Sequence, residues 1–218
     1  MPNKPTVTLS FDNGPEPEVT PQVLETLRRH DLKATFFVLG RKLVEHRALA
    51  ERAHDEGHWI GNHTFHHAVP LGLMTGKGAA ADEIARTEAL IGSLAHERRF
   101  FRPYGGGGLL DRRLLNCEAR DHLAAHGYTI VLWNAIPEDW RDPEGWVARA
   151  LEQCFAQEET LIVLHDLPTG AMRHLDRFIA TAQDCGAVFR QDPPTGCLPM
   201  MAGSVVRPMD MYLSDAAV

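Results

Sequence analysis

The chain has 218 residues, 44% hydrophobic and 23% charged, with a formal net charge of −7. That length suits one large α/β domain with a substantial core. The acidic balance argues against nucleic acid or an anionic membrane as a partner, because phosphate binding needs surplus Lys and Arg. Cys117, Cys154, Cys185 and Cys197 are widely spaced, with no C-x-x-C pair, and read as reduced thiols rather than a disulfide framework or a zinc ribbon.

The opening residues enter a strand almost at once with no apolar leader, and no apolar run approaches the roughly 18 residues of a membrane span. A cytoplasmic location is the expectation. Apolar extended runs then alternate with amphipathic stretches. A strand over 6–11 precedes a helix over 19–31, a strand over 34–40 a helix over 41–56, and a strand over 58–62 a helix over 77–96. Strands over 100–102, 128–133 and 160–165 precede helices over 111–126, 142–157 and 171–185, and a last strand covers 187–189. Asp111 reads as a helix start, and Gly57, Gly127 and Gly186 as stops. Runs such as "ATFFVLG" and "LIVL" are apolar without alternation, as when both faces of a strand are covered. This order predicts an α/β fold with a parallel sheet, open or closed into a barrel, as a single domain over 1–190. Residues 191–218 form a tail that packs on the domain or frays from it.

In parallel α/β folds chemistry collects where the strands end. Asp12 and Asn13 end the first predicted strand, "GNHTFHH" the third, "FRPYGGGG" the fourth, "WNAIPEDW" the fifth and "VLHD" the sixth. His63 and His67, four apart, would share a face if one helical turn follows the strand, a spacing that suits two imidazoles on one divalent metal. His66 is an alternative at a spacing of three. Each residue has a bland reading: Asp12 as a turn cap, Arg102 as a buried ion-pair partner, Asp139 as a helix cap, His165 as a core histidine. All of them at one end of the sheet is a concentration those readings do not explain.

"SFDNGP", "HTFHH", "FRPYG", "PEDW" and "VLHD" resemble, in order and separation, the five motifs of the polysaccharide deacetylases, the NodB-homology group of carbohydrate esterases. The resemblance covers about residues 6–190 and implies a distorted (β/α)7 barrel that hydrolyses the acetamide of N-acetylated amino sugars or short oligosaccharides with metal assistance. By that resemblance Asp12 is the general base, Arg102 tethers it, and His165 is the general acid tuned by Asp139. His63, His67 and Asn13 hold the metal. The backbone N–H near Tyr104 stabilises the oxyanion, Trp140 lines the groove, and Val163 and Leu164 form the slot for the acetyl methyl.

Asn13 departs from the family, which has an aspartate there. An amide can ligate hard cations, but a neutral His–His–Asn set holds zinc more weakly. The implied cofactor is therefore a divalent ion (zinc, with cobalt or nickel as alternatives), bound weakly or not at all. Two rival readings follow: a metal-independent amide or cyclic-amide hydrolase of the allantoinase branch, and a carbohydrate-binding homologue impaired in catalysis. The partner is an N-acetylated sugar or small amide under any of these; oligomeric state is open. Gly105–Gly108 read as a compact turn feeding a helix at Asp111, with a groove-shaping role as the alternative.

Overall fold

The computed structural model describes residues 4–214. β1 (Thr6–Asp12) is paired on both edges, and its side chains alternate between two environments. Val7, Leu9 and Phe11 point outward into a core shared with the helices, whereas Thr8, Ser10 and Asp12 turn inward. The same alternation holds in β6 (Glu159–His165), where Ile162 and Leu164 join the outer core and Leu161 and Val163 the inner one.

β6 pairs in parallel along the whole of β1, setting Asp12 opposite His165. The other edge of β1 is divided: β2 (Thr35–Val38) pairs with Ser10–Asp12, and β7 (Val188–Arg190) with Thr6–Thr8. From β2 the parallel order continues through β3 (Trp59–Asn62), β4 (Phe100–Phe101) and β5 (Thr129–Ile130). Beyond β5 the chain meets β6 in one parallel bridge, Ala135 with Ile162, where Val163 N–H donates to the Ala135 carbonyl at 3.0 Å. The ring is therefore closed by a bridge and a few hydrogen bonds of Asn134 and Ala135 with Leu161 and Val163 rather than by a strand ladder, which is the distortion of this (β/α)7 barrel.

The helices are α1 (Thr20–Arg29), α2 (Gly40–Asp55), α3 (Ala79–Ile91), α4 (Cys117–Ala125), α5 (Trp146–Phe155) and α6 (Leu175–Asp184). Among the described residues none is long and apolar enough to cross a membrane. Gly57, Gly127 and Gly186 follow α2, α4 and α6 with φ of 87°, 70° and 93°, the left-handed conformation that ends a helix cheaply at glycine.

The expected helix start at Asp111 is not found. The Asp111 carboxylate instead accepts from the Arg113 backbone N–H at 2.9 Å and from its guanidinium at 2.7 Å, closing a local turn. α4 begins only after Asn116, whose Oδ1 caps the Ala119 N–H at 2.9 Å. In the tail, β8 (Met200–Met201) pairs antiparallel with β5 and with β9 (Ser204–Val205), extending the sheet beyond the seven expected strands.

Candidate active site

The inward face of β1 carries hydroxyls, Thr8 and Ser10, and then the carboxylate of Asp12 at the strand's end. Arg102, just past β4, fills the barrel beneath that carboxylate and is 0% exposed. Its Nη1 donates to Asp12 Oδ1 at 2.7 Å and to Ser10 Oγ at 2.8 Å, and its Nε to the Val131 carbonyl at 3.1 Å. The guanidinium also lies 4.0 Å from the Phe37 ring centroid. Asp12 is 3% exposed, so this is a buried, hydrogen-bonded ion pair that fixes one carboxylate oxygen and leaves Oδ2 facing the mouth.

Oδ2 lies 3.5 Å from His63 Nε2. His63 Nδ1 is 2.8 Å from the Arg102 carbonyl, which assigns the proton to Nδ1 and leaves the Nε2 lone pair free. The His63 and His67 ring centroids are 4.7 Å apart. Burial pushes both imidazoles below the ordinary histidine value, His67 to about 2, so both are neutral and ready to ligate. The expected helical turn does not bring them together. Thr64 and His67 have φ of 70° and 55°, and this irregular loop folds the two rings onto one side. The alternative His66 is excluded: its Nδ1 meets Glu83 Oε1 at 2.5 Å, turning the ring away from the cleft.

Asn13, with φ of 74°, lines the same cavity, and its buried Oδ1 has no hydrogen-bond partner among the described residues. An unpartnered amide oxygen beside two neutral imidazoles is a donor set that fits a divalent cation. Among the described residues no cluster of three or more His, Cys, Asp and Glu side chains is placed to hold one.

Across the cavity, His165 Nδ1 is 2.9 Å from Asp139 Oδ1, while Asp139 Oδ2 accepts the His165 backbone N–H at 2.9 Å. Asp139 is fully buried. Burial alone would depress the His165 pKa. The charge and hydrogen bond of Asp139, with Asp12 and Asp166 further off, outweigh it and raise His165 above the ordinary value. Trp140 meets the His165 ring edge-on at 4.7 Å, and Tyr104 lies 3.8 Å from the His67 ring centroid.

These groups line one cleft, apolar with a few convergent polar groups as small-ligand sites are. Val163 is in its wall, as expected, but Leu164 is not: one residue on in a strand, it points to the opposite face and packs in the outer core. Trp133, Ile136 and Leu167 are the other apolar residues of the wall; the first two lie in the quoted "WNAIPEDW" but had no role assigned. Gly105, Gly107 and Gly108 also line the cleft. The glycine run is a compact turn, but it feeds the 111–113 turn and not a helix. It also approaches the wall closely: a Cβ on Gly105 would lie 2.5 Å from the Trp133 ring, and one on Gly108 2.6 Å from Ile136 Cδ1. The groove-shaping alternative therefore has the geometry behind it.

A family model described as polysaccharide deacetylase matches residues 1–131. The peptidoglycan-N-acetylglucosamine deacetylase PgdA of Listeria monocytogenes is 28% identical over 184 residues, covering 84% of this chain, which spans only 37% of that protein's length. The chitooligosaccharide deacetylase of Azorhizobium caulinodans is 31% identical over 170 residues, 75% of each chain. The structure of a family 4 carbohydrate esterase from Streptomyces lividans in complex with acetate superposes with a TM-score of 0.73 at 26% identity, covering 94% of this chain and 99% of that one.

Proposed function

The chain belongs to the polysaccharide deacetylase family, and from that premise we propose that it hydrolyses the acetamide of an N-acetylated amino sugar, with a divalent ion held by His63, His67 and Asn13. The names of its relatives, which act on peptidoglycan and chitooligosaccharide, support the substrate class. The observation that carries the reading is that two proton-transfer groups, each held by its own buried partner, face one cleft: Asp12 by Arg102 and His165 by Asp139.

Amide hydrolysis needs a polarised carbonyl, a deprotonated water and a protonated leaving amine. A bound divalent ion would supply the first and assist the second. The free oxygen of Asp12 takes the proton of the attacking water, while Arg102 holds the other oxygen in place. The backbone N–H at Tyr104 donates to the oxygen on which charge develops. Against the burial that lowers it, Asp139 raises the His165 pKa and so favours the protonated imidazole that gives its proton to the departing amine. Val163 and Trp133 are apolar walls of the cleft suited to a small acyl group, and Trp140 lines it beside His165 as a surface for the sugar.

Asn13 gives the reading its one unusual feature, a metal shell without a carboxylate. Release of acetate from chitooligosaccharides, before and after chelation and after reloading with zinc, cobalt or nickel, tests it. Loss on chelation and recovery on reloading is the expected result. Full activity with no divalent ion would favour the metal-independent hydrolase, and sugar binding without turnover the impaired homologue.

A further inference from the structure

Asp166 takes no part in the proton traffic above, yet it lies directly behind the turn that carries Asn13. It is 0% exposed, and its carboxyl faces a small apolar gap walled by Pro15, Phe36, Val38 and Ile60 on the helix side of the sheet. Oδ2 accepts the Thr20 hydroxyl, whose oxygen in turn accepts the Glu16 backbone N–H at 2.7 Å. Oδ1 has no hydrogen-bond partner among the described residues. The carboxyl also packs on Gly14: a Cβ there would come within 2.7 Å of Asp166 Cγ. From the other side the Leu39 N–H holds the Gly14 carbonyl at 3.0 Å. The backbone that leaves Asp12 and swings Asn13 to a φ of 74° is therefore gripped at Gly14 and Glu16.

We propose that Asp166 is a positioning residue, its carboxyl clamping Gly14 against Leu39 and so fixing the backbone that presents Asp12 and Asn13 to the cleft. Burial in the apolar cavity raises its pKa to about 7. The charged or titratable groups facing it are Lys42 from α2, itself paired with Glu16 at 3.0 Å, and His165 from β6; α1 contributes only the Thr20 hydroxyl. A neutral carboxyl both donates and accepts, as does the carboxamide of asparagine, so Asp166→Asn is its structural mimic and Asp166→Ala is not.

The deacetylase reading underlies the kinetic arm of this inference alone. Wild type, Asp166→Asn, Asp166→Ala and Thr20→Val are compared for kcat and KM on an N-acetylated chitooligosaccharide, and for unfolding midpoint against pH without substrate. A carboxyl raised from its ordinary 3.8 to about 7 on folding makes stability fall as pH rises between those values and level off above them. Wild type shows that slope and Asp166→Asn lacks it. Asp166→Asn keeps kcat within about threefold, whereas Asp166→Ala and Thr20→Val lose about tenfold or more in kcat with little change in KM. An Asp166→Asn as damaged as Asp166→Ala, or an unchanged pH slope, overturns the proposal. If Asp166→Ala does not fold, Thr20→Val and Asp166→Asn decide. If wild type turns over no N-acetyl sugar, the deacetylase reading fails while the pH slope still judges Asp166.

Discussion

Replacing Arg102 by methionine tests the site's architecture without any assumption about substrate. The side chains are of similar length, so the main loss is charge and hydrogen bonding. Three acceptors are stripped at once: Asp12 Oδ1, Ser10 Oγ and the Val131 carbonyl. Asp12, only 3% exposed, would be left as an uncompensated buried charge. Breaking such a pair costs about 3–5 kcal/mol, most of it the penalty on the stranded partner rather than the worth of the pair. Removing that partner should therefore recover much of the loss. In an Asp12→Asn background the same Arg102→Met change should cost only about 1–2 kcal/mol, leaving a coupling of about 2–3 kcal/mol in the double-mutant cycle. Urea unfolding of the four proteins, read by tryptophan fluorescence, measures it. A cost below about 1 kcal/mol for Arg102→Met alone, or four values that simply add, would refute the buried-pair account.

Asp139→Asn removes the charge that outweighs burial at His165, so the imidazole loses its proton at lower pH. A general acid works only below its pKa, so the alkaline limb of the kcat/KM profile moves to lower pH, with about a 10²-fold loss at neutral pH; an unmoved limb would contradict the assignment. His66→Ala should leave zinc binding and turnover intact, because the ring pairs with Glu83, whereas His67→Ala should lower zinc affinity by about 10-fold or more. Calorimetric titration with zinc distinguishes these outcomes. Asn13→Asp adds the missing negative charge and should tighten zinc by about tenfold or more in the same titration. Gly108→Ala forces a Cβ onto Ile136 at a φ of 81°, and should cost about 1–3 kcal/mol in stability and raise KM.

Much of this site is readable from residue order because strand ends in a parallel sheet all face one mouth. Asp12, Arg102, Asp139 and His165 need only that rule and the apolar runs before them to be brought together. What escaped prediction has local physical causes. His63 and His67 converge through a loop with two positive-φ residues, Thr64 and His67, that no spacing rule anticipates. Leu164 was placed in the acetyl slot beside Val163, although adjacent strand residues face opposite ways; Trp133 and Ile136 fill that place from a segment where the strand has already ended. The Asp111 start failed because its carboxylate was taken by Arg113 two residues on, and Asn116 held the stronger cap. The role of Asp166 depends on a contact between the end of β6 and the turn after β1 that residue order does not show.

In the proposed chemistry a carboxylate beside two neutral imidazoles takes a proton from the water that attacks an acetamide. Acetate release from a zinc-loaded protein offered an N-acetylated chitooligosaccharide, with wild type beside Asp12→Asn, tests it most directly. The prediction is release by wild type and a loss of about 10²-fold or more in kcat for Asp12→Asn with its zinc affinity retained. Equal release by the two proteins would contradict it.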